Sequence, residues 1–88
     1  MTEQEYLLTC LMEECAEVTH RASKALRFGL QEVGPGSKKS NFTRLEDELS
    51  DVIEIARMLK LQAHEWTPNK MRRWNKALTR SSAQGILQ

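Results

Sequence analysis

Two acidic pairs in this chain have the spacing that a helix turns into one face: Glu14 with Glu17, and Glu48 with Asp51. Residues three apart on a helix project side by side, so each pair offers two carboxylates in one direction. Two such helices packed together would gather four carboxylates. That is the all-oxygen shell preferred by Mg²⁺, with Mn²⁺ as its natural substitute. Neither His20 nor His64 stands at a spacing that would add to such a site. Cys10, Cys15 and His20 fall on three different faces of one helix, which argues against zinc. A single Glu-x-x-Glu is more often a solvated acidic face; two pairs, each bordering an apolar stripe, shift the balance toward a metal.

The elements that would position these acids are helices. The first is expected from about Thr2 to Phe28, with Thr2 and Glu5 as a capping box and Gly29 placed to end it. Leu7, Leu11, Cys15, Val18, Ala22 and Ala25 recur at three- and four-residue steps and form its apolar stripe, widened by Leu8 and Leu26. Glu14 lies on the shoulder of that stripe and Glu17 just outside it. Residues 29–41 form a connection whose Gly34-Pro35-Gly36-Ser37 segment favours a turn.

The second helix is expected from Asn41 or Thr43 to about Glu65, the later start giving a capping box of Thr43 with Glu46. Its stripe is Leu45, Leu49, Val52, Ala56, Leu59 and Ala63, flanked by Ile53 and Ile55. This sector is wide enough for two neighbours rather than one. Glu48 is the anomaly, because at about 100° per residue it projects between Leu59 and Ile55, inside the apolar sector. A charge left unpaired there would cost several kcal/mol. Thr67-Pro68 supplies an N-cap and a first-turn proline for a third helix to about Ser81, with Met71, Trp74 and Leu78 as its apolar face.

The 88 residues fit one domain, and 40% hydrophobic with 28% charged residues is ordinary for a globular chain. A core this small gains little net stability alone, so oligomerisation is expected. The net charge of +1 is uninformative, but Lys70, Arg72, Arg73, Lys76 and Arg80 follow Glu65 with no further acid. No apolar run approaches a membrane span and the N-terminus lacks a signal-peptide pattern. Cys10 and Cys15 point about 140° apart on a helix and cannot bridge. Reduced thiols in a cytoplasmic protein follow as the expectation.

Beyond the acids themselves, the chain resembles a known family. Glu13-Glu14-x-x-Glu17 with Glu48-x-x-Asp51 is similar to the EExxE…ExxD signature of the MazG-like, all-α nucleoside triphosphate pyrophosphohydrolases. Lys24-Ala-Leu-Arg-Phe-Gly29, Glu32-Val-Gly-Pro-Gly36 and Arg44-Leu-Glu-Asp-Glu-Leu-Ser-Asp51 look like a small single-domain branch of it, the likeness running from about Glu13 to Leu59. The resemblance implies that Glu14, Glu17, Glu48 and Asp51 hold Mg²⁺ and that Glu13 orients water or supports the ligands. The reaction implied is hydrolysis of an NTP or dNTP to the monophosphate and pyrophosphate.

Phosphate oxygens beyond the metal need cations, and Lys24, Lys70 and Arg21 are the candidates. Lys24 lies two turns beyond Glu17 on the same face, while Arg21, four residues after Glu17, also suits a plain surface ion pair. Lys38 and Lys39 could close over the triphosphate from the loop. Phe28, Phe42 and Trp74 are available to stack on a base, although core packing is the commoner role of each, and Trp66 is expected to pack between the second and third helices.

The expected fold is all-α: an antiparallel bundle of two long helices plus a shorter third, its four-helix core completed by dimerisation. The resemblance points the same way, to a dimer or a dimer of dimers. A reading of a different class is a non-catalytic helical module whose basic third helix binds nucleic acid. It leaves Glu48 unexplained, and five basic residues make a small phosphate footprint.

Overall fold

The computed structural model describes residues 1–64 and 67–85, and these form an all-helical protein: α1 (Glu3–Phe28), α2 (Asn41–Met58) and α3 (Pro68–Ala83). The expected packing place of Trp66 and the tail 86–88 lie outside the described residues. No described helix is long and apolar enough to cross a membrane. Cys10 and Cys15 are free thiols.

α1 starts as its sequence dictates. The Thr2 hydroxyl accepts from the Glu5 amide, and the Glu5 carboxylate accepts from the Thr2 amide. At its end Gly29 takes φ +100°, where a side chain would be strained, and donates to the Ala25 carbonyl at 2.8 Å. The chain then passes through a tied-down loop. Ser37 donates to the Gly34 carbonyl across a turn in which Gly36 adopts φ +74°, the left-handed third position of a type II turn with Pro35 second. Asn41, 4% exposed, donates through Nδ2 to the Gly29 carbonyl at 2.9 Å, while its amide meets the Glu32 carbonyl. One buried side chain therefore joins the last residue of the α1 cap to the first turn of α2.

Two expectations for α2 are corrected. Its N-cap is Ser40, whose hydroxyl accepts from the Thr43 amide, so the box of Thr43 with Glu46 does not form. The helix stops at Met58, well short of residue 65, because Lys60 turns left-handed at φ +62°. The Leu61 amide then reaches the Ala56 carbonyl and the Lys60 amide the Arg57 carbonyl, closing a Schellman motif. Ala63 accordingly lies beyond the stripe assigned to it. α3 begins on Thr67 and Pro68 as expected and runs two residues further than expected, to Ala83.

α1 and α2 pack antiparallel. Leu7 and Met58 share a cleft at one end, Arg21 meets Glu48 further along, and Gly29 meets Asn41 at the loop end. The seam of α1 comprises Leu7, Leu11, Glu14, Val18, Arg21 and Ala25, all buried or half-buried, whereas Cys15 and Ala22 of the expected stripe are exposed. The facing seam on α2 is Leu45, Glu48, Val52, Ile55 and Leu59, with Leu49 exposed. Among the described residues Leu7, 8% exposed, is the one buried apolar side chain. α3 packs against neither α1 nor α2.

Candidate metal centre

The seam places polar groups where a helical hairpin ordinarily places aliphatic ones. Glu14 and Arg21 occupy inward positions of α1 on either side of Val18, seven residues and so two turns apart, and Glu48 occupies one on α2. Asp51, three residues on from Glu48, stands at the exposed margin. Glu14, Glu48 and Asp51 each present a carboxylate oxygen, and these three atoms lie within 4.8 Å of one another. Three like charges at that separation repel unless something positive joins them.

The electrostatics carry that crowding. Burial in the seam is the largest reason that the Glu14 carboxyl is pushed above its ordinary value. The charges of Asp51 and Glu48, a hydrogen bond with Glu48 and the charge of Glu17 act in the same direction. Without a metal, Glu14 thus holds a proton more readily than an isolated carboxyl. The nearest cation is Arg21, whose Nε lies 3.8 Å from Glu48 Oε1, beyond hydrogen-bond range. Both side chains are less than one-fifth exposed, and the buried Nε of Arg21 has no hydrogen-bond acceptor. Arg21 partly offsets the negative charge of the seam without satisfying it.

The donor set is three carboxylates with no histidine or cysteine, which fits a hard divalent ion. Glu14, Glu48 and Asp51 are the residues that could hold it. Oxygens sharing one Mg²⁺ sit up to about 4 Å apart, so small rotamer changes bring this set into range. Glu17 is exposed and stands outside the group of three, one turn from Glu14. Glu13 is exposed and lies about 100° round α1 from Glu14.

No family model, curated protein or solved structure matches the chain.

The candidate phosphate contacts separate. Arg21 pairs with Glu48 across the seam, and the surface pair with Glu17 that its spacing would also suit is not formed. Lys24 is half-buried on α1, one turn beyond Arg21. Lys70 lines a separate cleft with His64, Arg73 and Trp74, and one chain alone does not bring it to the carboxylates. Phe28, Phe42 and Trp74 are all exposed in the single chain rather than packed in a core, and the Arg27 guanidinium lies 5.0 Å above the Phe28 ring.

One residue beside the acids was passed over at the sequence level. Arg44 is half-buried, lines a cleft next to Glu48, and pairs with no acid among the described residues. Its signal was its place four residues before Glu48, one turn away on the same helix face.

Proposed function

We propose that this chain is a cytoplasmic, Mg²⁺-dependent nucleoside triphosphate pyrophosphohydrolase of the MazG-like, all-α kind. It converts an NTP or dNTP to the monophosphate and pyrophosphate, clearing unwanted nucleotides. The observation that supports it is the meeting of carboxylate oxygens of Glu14, Glu48 and Asp51 within 4.8 Å, two of these acids half-buried in a helical seam, where unneutralised carboxylates are costly, and Asp51 at its exposed margin. Exposed acids would need no such placement.

Glu14, Glu48 and Asp51 would hold the metal, with Glu17 one turn from Glu14 as the fourth carboxylate of the signature. Bound there, Mg²⁺ supplies neutralising charge for phosphate oxygens and a water of lowered pKa. In the reaction, a water oxygen bonds to the α-phosphorus and the bond to the α–β bridging oxygen breaks. That oxygen leaves with pyrophosphate. Arg21, next to Glu48, offsets charge that builds on the phosphate oxygens. Lys24 meets the substrate's outer oxygens, and Glu13 keeps the water-orienting role that the resemblance implies.

The functional unit is at least a dimer. A second apolar stripe runs on each helix one residue beyond the seam: Leu8, Met12, Cys15, Ala22 and Leu26 on α1, and Leu49, Ile53 and Ala56 on α2. In an antiparallel pair, that step of about 100° carries both stripes to the same side of the hairpin. Leu8, Met12, Leu26, Leu49 and Ile53 are all exposed. A second copy laid on this face would complete a four-helix core, and could bring Lys70 of one chain near the acids of the other.

The reading is tested with a panel of NTPs and dNTPs, with and without Mg²⁺, using the wild type and Glu48→Gln. Turnover should require the ion and fall about 10²-fold or more in the variant, while the metal-free fold stays intact or gains stability. Unfolding of the variant with unchanged activity per folded molecule would make Glu48 structural.

A second reading has an observation of its own. α3 stands apart with Lys70, Arg72, Arg73, Lys76 and Trp74 all exposed, as a nucleic-acid contact would require. Salt-dependent binding of DNA or RNA without Mg²⁺-dependent turnover would favour it.

A further inference from the structure

A cleft of about 440 Å³ opens beside the three carboxylates and shares Glu48 with them. Its walls come from α1 through Arg21, from the loop through Ser37 and Lys39, and from α2 through Arg44, Asp47 and Glu48. We propose that this cleft is a subsite for linear oligophosphate, which receives the two phosphates beyond the bond that is cleaved. In naming a nucleotide as the whole ligand, the proposal rests on the reading above. The capture of pyrophosphate as such does not.

Charge is the first argument. Three cations and two acids line the cleft, and one of those acids, Glu48, also belongs to the carboxylate group. Even with both acids ionised, Arg21, Lys39 and Arg44 leave the cleft with one positive charge in excess. The guanidinium donors, moreover, lack protein acceptors. The buried Arg21 Nε has no acceptor, and the half-buried Arg44 has neither an ion pair nor a side-chain hydrogen bond among the described residues. A guanidinium that is partly desolvated and unpaired is poised for a bidentate anion such as phosphate.

Rigidity is the second argument. The Ser37 hydroxyl donates to the Lys39 carbonyl and accepts from the Lys39 amide, and Asn41 fixes the loop to the end of α1. The wall is therefore formed before any ligand arrives, which lowers the entropic cost of binding. At the rim Lys39 Nζ donates to Asp47 Oδ2 at 2.7 Å, with both side chains at least half exposed. Exposed pairs are weak, so an entering phosphate can take Lys39 from Asp47.

Two consequences follow. Pyrophosphate should bind as a retained product that competes with substrate. A nucleoside diphosphate, which has one phosphate beyond its α–β bond, should bind less well than the triphosphate.

The test is calorimetric titration of the full chain with inorganic pyrophosphate in chelator, so that no metal contributes. The wild type should bind. Arg44→Gln and Lys39→Gln should each weaken binding about tenfold, the scale of one lost charge-assisted contact. Asp47→Asn should tighten it, because Lys39 is released. Lys39 and Asp47 are exposed, so their variants report on the subsite even where Arg44→Gln perturbs folding. Absence of pyrophosphate binding to the wild type, or affinities unchanged in all three variants, would overturn the subsite. Pyrophosphate binding that follows these variants without any nucleotide turnover would keep the subsite and sink the enzymatic reading. Mg²⁺-dependent turnover with the substrate KM unmoved in Arg44→Gln and no pyrophosphate binding would do the reverse.

Discussion

Glu14 and Glu48 are the two acids at which local pattern and chemistry disagree, since the packing period asks for aliphatic side chains at both positions. That disagreement was visible in the sequence for Glu48, which projects into its helix's apolar sector. It was half visible for Glu14, read as lying on a shoulder although it lies in the seam. The i, i+4 rule offers Arg21 a pair with Glu17, whereas its partner across the seam, Glu48, comes from tertiary packing that no local rule encodes. The raised Glu14 pKa makes a prediction with a definite sign. The folded state holds this proton above the ordinary value of 4.5, so its contribution to stability is fully present below that value and is lost as pH rises through the folded pKa. Metal-free Glu14→Gln should therefore melt higher than the wild type at neutral pH, the gap closing as pH falls toward 4.5. Saturating Mg²⁺ should stabilise the wild type and do little for the variant. Thermal melts across pH, with chelator and with Mg²⁺, check both statements.

At the scale of elements, the starts of α1 and α3 were legible, but the cap of α2 and its stop were not. Thr2 with Glu5, Gly29, and Thr67 with Pro68 are caps whose side chains or missing side chains act locally, and each is found where its chemistry placed it. The end of α2 carries no such mark. Lys60 adopts a left-handed backbone that usually selects glycine, so the Schellman closure is set by the hairpin rather than by the residue type. Lys60→Gly should thus stabilise the chain by about 0.5–1 kcal/mol, because relief of left-handed strain exceeds the entropy that glycine adds to the unfolded state. Urea denaturation measures it, and a loss of stability would mean that the Lys60 side chain has a packing role. The loop was legible as a turn. Its tie through Asn41 was not, because an asparagine at a helix start ordinarily reads as a cap rather than as a clamp on the preceding helix.

The single chain is far more open than a compact monomer of its size. It exposes 7635 Å², where a compact monomer of its 10.2 kDa would expose about 5,300 Å². Its radius of gyration is 16.6 Å, against about 12 Å expected for this length. The excess of roughly 2,300 Å² per chain is on the scale of an obligate interface. The wide apolar sector of α2 is what a helix with more than one neighbour needs, and it agrees with the proposed dimer. The melting temperature should rise with protein concentration. Ile53→Glu, on the exposed apolar face, should yield a monomer by sedimentation with much reduced helicity. A wild type that stays monomeric and fully folded at every concentration would contradict the dimer. The central claim is that water attacks the α-phosphorus of a nucleoside triphosphate at these carboxylates, and it is read most directly by Mg²⁺-dependent hydrolysis in ¹⁸O-labelled water with mass analysis of the products. One ¹⁸O should appear in the nucleoside monophosphate, with the released pyrophosphate unlabelled; label in pyrophosphate, or orthophosphate as the first product, would contradict it.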